Sequence, residues 1–251
     1  ARSETDYVRH HVQKVIAFFL AMRSFALDLQ QQGHHVIYIK LDDAANQSSI
    51  VGNVLYQLGR GQFTQMEYLL PDEYRLDQEL RQLSAQLSIP VRACDTEHFL
   101  SNRTKVAELF QGKKQGLMET FYRQMRKDYG ILMEADGNTP LTGQWNYDAD
   151  NRKKLPKNIN IPPTLSFTRN VSDLLELLQK EEVETIGRLD KPQLDWPVTR
   201  AEHLQLLHYF LPHQLVHFGR YQDAMSDRDY FLFHSRLSFG LNTKLISPLE
   251  E

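Results

Sequence analysis

The sequence predicts an α/β fold, in which helices flank a parallel sheet, followed by a region that is mostly helical. Two observations support this prediction. Apolar residues recur first at helical spacing and then in short β-branched runs, and this alternation repeats along the first part of the chain. After a proline-rich stretch, the pattern becomes helical again. The order of patterns therefore predicts a sheet domain first and helices after it.

The predicted elements follow one another with short connections. Apolar side chains at helical spacing predict a helix over 8–32, which Gly33 ends, and a β-branched strand over 36–41 runs into Asp42 and Asp43. Further predicted elements are helices over 48–58 and 73–87, and strands over 66–70 and 90–94. Because short connections between alternating helices and strands favour right-handed crossovers, we expect a Rossmann-like parallel sheet.

The domain boundaries follow from composition. The stretch 139–167 contains four prolines and a basic run, which is typical of a linker. Helical patterns then cover 171–179 and 231–241, and Thr199 with Glu202 forms a capping box that opens another helix. We therefore expect domains at 1–130 and 171–251, joined by a linker over 131–170. Since doubly wound sheets usually begin with a strand and this chain opens on a helix, we expect a first strand to precede Ala1.

The net charge, the cysteine count and the lengths of the apolar runs limit the functional classes to which the chain can belong. A net charge of −3 argues against nucleic-acid binding through overall charge, although a local basic face stays open. The single cysteine, Cys94, excludes an internal disulfide and a multi-cysteine metal site, and its apolar strand context predicts a buried, inert thiol. No metal site is predicted. No apolar run reaches the ~20 residues that span a bilayer, and a reducing cytoplasmic location is expected.

A polar cluster near the end of the chain is the strongest candidate site. His234, Ser235, Arg236 and Ser238 interrupt apolar residues and precede a Ser-Pro turn at 247–248. Hydroxyls, a guanidinium and the backbone N–H groups of a helix start are groups that hold a phosphate or pyrophosphate. A capped helix with exposed polar residues is the alternative interpretation.

Several motifs together carry a family resemblance. These are S-E-T-D-Y-V-R-H-H at 3–11, F-Y-R-Q-M-R at 121–126, L-M-E-A-D-G at 132–137, G-Q-W-N-Y-D-A-D-N-R-K at 143–153, F-G-R-Y-Q-D-A-M at 218–225 and S-R-L-S at 235–238. The chain resembles the deoxyribodipyrimidine photolyase-related proteins, a branch of prokaryotic (6-4) photolyases and bacterial cryptochromes with an iron–sulfur cluster. On composition alone, the 143–153 segment also fits an interdomain loop whose aromatic side chains pack and whose lysines are solvated.

The resemblance implies a photolyase architecture. The α/β part would be the antenna domain, and the helices after it would open an all-α domain that holds FAD. It also implies 6,7-dimethyl-8-ribityllumazine as the antenna chromophore, and a 4Fe–4S cluster in the full-length parent only. With one cysteine, this chain is expected to be the N-terminal portion, with a truncated helical domain.

The resemblance also implies site residues. The flavin contacts would be Tyr221, His234, Ser235, Arg236, Leu237, Ser238 and Asn242. The antenna contacts would be Glu4, Tyr7, Asp42 and Asp43, and the DNA contacts would be Arg152, Lys153, Lys154 and Lys157. The catalytic residues are not assigned. The alternatives for these sets are turn and capping residues and a solvated linker.

The implied function is light-driven repair of UV-induced (6-4) pyrimidine photoproducts in DNA by electron transfer from reduced FAD, with this chain as the antenna half. Its partner would be DNA with UV lesions, and the fragment alone is expected to be inactive as a lyase. A cryptochrome-like blue-light sensor and a bare nucleotide-binding α/β module are alternatives. Self-association through the truncated helical region, but no membrane association, is also expected.

Overall fold

The computed structural model describes residues 1–96 and 98–250. The chain forms two compact units, each built from two stretches of sequence. Unit 1 comprises Ala1–Thr96 and Ser166–His203, and unit 2 comprises Glu97–Leu165 and Leu204–Glu251. The consecutive domain boundaries expected from the sequence stay a prediction.

The regular elements alternate between helices and very short strands. The helices are α1 Arg2–Asp6, α2 Val12–Gln31, α3 Ile50–Leu58, α4 Tyr74–Gln86, α5 Lys105–Phe110, α6 Met118–Tyr129, α7 Ser172–Lys180, α8 Arg200–His213, α9 Leu215–Tyr221 and α10 Ser238–Asn242. The strands are β1 His10–His11, β2 Met66–Leu69, β3 Val91–Cys94, β4 Arg169–Asn170, β5 Thr185–Ile186 and β6 Gln193–Leu194. The predicted α/β class is therefore confirmed.

Unit 1 is organised around helix α2. Its buried face includes Val12, Val15 and Ile16, at the spacing that a helix core face requires. His11 caps the start of the helix, since its ring Nδ1 accepts a hydrogen bond from the Gln13 N–H at 3.2 Å. The predicted helix over 8–32 is thus correct in its body, but its first turn is wrong, because strand β1 takes that place.

Within the part of the chain that the structure describes, the strands pair in three separate two-stranded ladders. Strands β2 and β3 run parallel, with Met66 opposite Val91 and Leu69 opposite Cys94, and helix α4 connects them, as predicted. Strands β1 and β5 are also parallel, whereas β4 and β6 are antiparallel. A continuous Rossmann-like sheet across these ladders is not confirmed.

The predicted strand over 36–41 is wrong, because these residues form no ladder with any described strand. β-branched residues favour extended backbone, but a strand also needs a neighbour to pair its N–H and C=O groups. Cys94 lies at the end of β3 and is half-buried, so the thiol predicted as buried is partly accessible.

Helix α8 begins with the predicted capping box. The Glu202 N–H donates to Thr199 Oγ1 at 3.2 Å, and the Glu202 carboxylate accepts from the Thr199 N–H at 3.2 Å. The carboxylate also accepts from the Val198 N–H at 2.8 Å. These bonds satisfy donors that a helix start leaves open.

Unit 2 has a compact apolar cluster of its own. Tyr221, Leu232 and Phe233 are buried together, and Leu155 and Ile161 pack against them. The cluster joins the end of α9 to the irregular stretch that follows it. No helix among the described residues is long and apolar enough to cross a membrane.

The helix predicted over 231–241 is largely wrong. Only α10, Ser238–Asn242, is helical there, because two residues before it adopt left-handed backbone, Leu232 at φ 46° and Arg236 at φ 59°. The apolar spacing that indicated a helix instead reflects turns that bury Phe233 and Leu237.

Candidate functional site

The predicted antenna residues Glu4 and Tyr7 meet at one side chain, Arg75 of α4. The Arg75 guanidinium donates to the Glu4 carboxylate at 2.8 Å and lies over the Tyr7 ring, 4.9 Å from its centroid. The other Glu4 oxygen accepts from Ser3 Oγ at 3.0 Å. Tyr7 is 60% exposed, and its ring meets the His10 ring edge-on with 5.5 Å between the ring centroids. This group offers a fixed carboxylate beside an exposed aromatic face.

The predicted antenna residues Asp42 and Asp43 lie in the loop before α3. Asp42 accepts from Lys180 of α7 at 3.4 Å, and Asp43 accepts from the Ala45 N–H at 2.9 Å. The Ser3 N–H donates to the Ser48 carbonyl oxygen at 2.9 Å, so α1 lies against the end of this loop. The structure therefore brings the loop that carries both aspartates next to the helix that carries Glu4.

The predicted flavin residues divide into a buried set and an accessible set. Tyr221 and Leu237 belong to the apolar interior of unit 2. Ser235 and Arg236 are half-buried, and the remaining residues of the set, His234, Ser238 and Asn242, are exposed. The polar side chains thus lie on the outer side of a short segment whose apolar side chains face inward.

Arg236 is the most constrained residue of this segment. Its guanidinium donates to the Leu165 carbonyl oxygen and lies over the Phe231 ring, 5.0 Å from the centroid. Burial lowers the pKa of this guanidinium. Its left-handed backbone costs about 1 kcal/mol or more, and such strained residues cluster at functional sites.

The neighbouring polar groups have backbone partners. The Ser235 hydroxyl oxygen accepts from the Leu237 N–H at 3.4 Å, and the His234 ring nitrogen Nε2 lies 2.6 Å from the Gln222 carbonyl oxygen. The Phe218 ring also meets the His234 ring at 6.0 Å. These contacts fix the turn that presents Ser235 and Arg236.

The predicted DNA residues form an exposed strip that is attached to the end of α9. Arg152 pairs with Asp223 at 3.7 Å, and Lys153 pairs with Asp150 at 2.9 Å. The Lys153 N–H donates to the Arg220 carbonyl oxygen at 3.2 Å. The other two residues of the set, Lys154 and Lys157, are exposed as well.

The G-Q-W-N-Y-D segment is fixed to helix α6 by a buried arginine. Arg126 is only 7% exposed and donates to the carbonyl oxygens of Ile131, at 3.0 Å, Trp145, at 3.1 Å, and Leu132. Its guanidinium lies over the Trp145 ring at 5.4 Å, as does that of Arg123 at 5.2 Å. The segment is therefore held in place by cation–π and hydrogen-bond contacts.

Glu119 makes a second link from α6 to this segment. Its carboxylate accepts from Arg123 at 2.8 Å and from the Asn146 side-chain amide at 3.1 Å. The bond from Arg123, together with that from Asn146, lowers the pKa of the Glu119 carboxyl, so it is ionised at neutral pH. Gly143, at φ 76°, provides the left-handed turn that starts the segment.

A cavity of about 1060 Å³ opens beside this segment in unit 2. Its walls are mainly aromatic and apolar, from Phe99, Leu100, Met118, Phe121, Tyr122, Met125, Tyr147, Phe218 and Pro248. Polar groups enter from Ser101, Glu119, Asn146, Asp148 and Gln222. None of the predicted flavin, antenna or DNA residues lines it. An apolar cavity with a few convergent polar groups is the usual form of a binding site.

The described residues contain no group of three or more His, Cys, Asp or Glu side chains arranged to hold a metal ion.

Comparison with known proteins gives the family. The profile of the deoxyribodipyrimidine photo-lyase-related proteins matches residues 1–194, which is more than half of the chain. The chain belongs to this family. A (6-4) photolyase of Agrobacterium fabrum is 32% identical over 250 residues, which is 99% of this chain and 48% of that protein. The chain thus spans about half the length of this relative, and the predicted resemblance is confirmed.

An uncharacterized protein of Acanthamoeba polyphaga mimivirus is a second relative of this photo-lyase-related chain. It is 27% identical over 160 residues, covering 62% of this chain and 78% of the viral protein.

Sequence reasoning missed two arginines that organise this photo-lyase-related protein. Arg126 ends the F-Y-R-Q-M-R motif, which was a usable signal, since a charged residue within an apolar helix face needs buried partners. Arg75 gave no such signal. Its contact with Glu4 joins residues 71 positions apart, and helical spacing alone predicts only its pairing with Glu79.

Proposed function

We propose that this chain is the antenna half of a photolyase-related flavoprotein that repairs UV-induced (6-4) pyrimidine photoproducts in DNA with light. The similarity to the Agrobacterium (6-4) photolyase over 99% of this chain carries the proposal. Since the chain spans 48% of that relative, repair is proposed for a protein that contains this chain.

Two cofactors belong to the proposal. Reduced FAD supplies the electron for lesion repair, and 6,7-dimethyl-8-ribityllumazine supplies absorbed light energy. A 4Fe–4S cluster is proposed for a longer protein only, because such a cluster needs several cysteine thiolates and this chain has one cysteine.

The proposed role of the antenna residues follows from their chemistry. The Glu4 carboxylate accepts N–H groups of a bicyclic ligand, and the exposed Tyr7 ring stacks on its face. Arg75 holds both groups in position through its hydrogen bond and its cation–π contact. A carboxylate oxygen has a second lone pair, so the bond to Arg75 leaves Glu4 able to accept from a ligand. Asp42 and Asp43 supply further acceptors.

The proposed flavin segment fits a diphosphate. Ser235 and Ser238 supply hydroxyl donors, and Arg236 supplies a positive charge that offsets the phosphates. The exposed side chains of His234 and Asn242 add polar contacts. Tyr221 and Leu237 act from the buried side, where they hold the segment in its shape.

The proposed DNA strip acts through phosphate neutralisation. Four cations over 152–157 are exposed, whereas the whole chain carries a net charge of −3. Affinity through such contacts is independent of sequence and falls as salt rises. We propose that the strip follows the DNA backbone.

Ligand titration tests the cofactor part of the proposal. The purified chain is titrated with 6,7-dimethyl-8-ribityllumazine and, separately, with FAD, while ligand fluorescence is recorded. We expect Glu4→Gln and Tyr7→Leu to weaken lumazine binding, with Tyr74→Leu, which changes an exposed tyrosine at 78%, as the matched control. Binding of adenine nucleotides without either chromophore would instead indicate a plain nucleotide-binding module.

Repair is tested with a complete protein that contains this chain. A duplex with one (6-4) photoproduct is illuminated with blue light in the presence of reduced FAD, and the repaired strand is quantified. Light-dependent repair is the expected outcome. Light-induced flavin spectral changes without repair would favour the cryptochrome-like sensor and contradict the repair function.

A further inference from the structure

The cavity beside the G-Q-W-N-Y-D segment has polar groups that are available to a ligand. The Asn146 side chain donates to Glu119, but within the described part of the chain its carbonyl oxygen has no hydrogen bond. The Gln222 side-chain amide and the Asp148 carboxylate likewise have no hydrogen bond to described residues. Three side chains with available hydrogen-bonding groups therefore line this mainly apolar cavity.

The chemistry of the cavity selects a planar heterocycle. Five of its walls are aromatic rings, which stack on flat ring systems. A side-chain amide offers a donor and an acceptor side by side, the arrangement that pairs with the polar edge of a nucleobase. The negative charges of the Glu119 and Asp148 carboxylates repel phosphate groups, so they disfavour a phosphate inside the cavity.

The predicted DNA residues, here called the basic strip, lie next to the same cavity. They are Arg152, Lys153, Lys154 and Lys157. Gln222 lines the cavity, and the following residue, Asp223, pairs with Arg152 at 3.7 Å. The Asp223 N–H also donates to the Asn151 carbonyl oxygen at 3.2 Å. The Lys153 backbone N–H donates a hydrogen bond to the carbonyl oxygen of Arg220, which lies two residues before Gln222. Positive charge is thus fixed outside a cavity that itself carries negative charge.

We infer that this cavity receives an unpaired, undamaged base of a DNA strand while the basic strip holds the adjoining phosphates. The aromatic walls stack on the base, and the side chains of Asn146 and Gln222 bond its edge. This inference rests on the proposed DNA-binding function and deepens it, because it adds a base site that is separate from the predicted flavin and antenna residues.

Two single-stranded probes test the inference on the 251-residue chain. One is a short labelled oligothymidylate, and the other has the same backbone with abasic residues throughout. Affinity for each is measured by fluorescence anisotropy at fixed salt. We expect the base-bearing strand to bind roughly tenfold tighter or more, which corresponds to the stacking of one base.

Matched variants locate the base site. Tyr147→Leu removes an exposed aromatic wall and Gln222→Ala removes a side-chain amide of the cavity, and each should reduce the preference for the oligothymidylate over the abasic strand. Tyr147→Phe keeps the ring and should retain most of the preference. Lys154→Ala combined with Lys157→Ala should weaken both strands by similar factors, since it removes phosphate contacts alone.

The outcomes separate this inference from the function on which it rests. Equal affinity of the two strands for the unaltered chain overturns the base site and leaves DNA binding intact. A preference that is undiminished in both Tyr147→Leu and Gln222→Ala also overturns it, because the base then binds elsewhere. No binding of either strand contradicts the proposed DNA contact itself.

Discussion

The guanidinium of Arg126 contacts Trp145 in two ways, since it donates to the Trp145 carbonyl oxygen at 3.1 Å and lies 5.4 Å from the Trp145 ring centroid. This pair joins helix α6 to the G-Q-W-N-Y-D segment. The same guanidinium bonds the carbonyl oxygens of Ile131 and Leu132, so it closes the turn after α6 as well. One buried cation therefore shapes the loop beside the cavity.

Substitution of Arg126 should destabilise this loop strongly. Arg126→Met keeps most of the side-chain volume but leaves the three carbonyl oxygens without their donor, and we expect a loss of about 2 kcal/mol in the free energy of unfolding. Urea unfolding, followed by tryptophan fluorescence, measures the loss. Arg123→Met is the control, because Arg123 also lies over the Trp145 ring but is 46% exposed. Equal losses in the two variants would contradict the anchoring role.

Substitution of Arg75 should weaken ligand binding at the proposed antenna site, although Arg75 is partly exposed. Arg75→Ala frees the Glu4 carboxylate and the Tyr7 ring, so ligand binding must then order both groups, and we expect roughly three- to tenfold weaker lumazine binding. Fluorescence titration measures the affinity. Arg81→Ala is the control on the same helix, since among the described residues the ion-pair partner of Arg81 is Asp77 alone. Unchanged affinity in Arg75→Ala would remove Arg75 from the site.

Acid should destabilise the start of α8 in two steps. Burial lowers the pKa of His203, so the folded chain keeps this ring neutral while the unfolded chain protonates it below pH 6.5. For Glu202, burial acts to raise the pKa, but hydrogen bonds from the Val198 N–H, from Arg169 and from the Thr199 N–H together lower it below 4.5. Stability should thus fall as pH drops below 6.5, and fall further below 4.5.

Two variants assign these steps. His203→Gln should remove the dependence between pH 7 and 5, and Glu202→Gln should remove the dependence below pH 4.5, whatever stability each variant has at neutral pH. The slope of the free energy of unfolding against pH is the measurement. An unchanged slope in His203→Gln would show that another group titrates in that window.

Gly187 should tolerate no side chain. It follows β5 at φ 71°, and a Cβ there would collide with the His11 ring of β1. Gly187→Ala should therefore cost more than Gly33→Ala, which has φ 88° but open space and should cost about 1 kcal/mol from backbone strain alone. Thermal unfolding compares the two. A smaller loss for Gly187→Ala would mean that the ring turns aside freely.

Most helices and the parallel β2–β3 pair were predictable from the sequence. Helix α4 shows why, because Leu80 and Leu83 lie three residues apart on its buried face and Glu73 caps its start. Such signals are local. The prediction of a strand over 36–41 was wrong for a related reason. Its pattern is also local, but a strand needs a neighbouring strand to pair with, and the pattern does not specify that neighbour.

The candidate site was predictable only in part. The motif around Trp145 could be recognised in the sequence, and the family resemblance that it supported is confirmed. The cavity was not predictable, because its walls come from five stretches of chain, represented by Phe99, Tyr122, Tyr147, Phe218 and Pro248, and no spacing rule relates them.

The amino-acid order by itself determined the family, the α/β class and the helices whose apolar faces repeat every three or four residues. These depend on residues that are near one another in the sequence and on motifs that are continuous in the chain. The tertiary structure alone decided which strands pair, that Arg75 joins Glu4 to Tyr7, and that Arg126 holds Trp145 beside a cavity. The physical reason is that hydrogen bonds and ring contacts act over a few ångströms in space, and distance along the chain does not report which residues come that close.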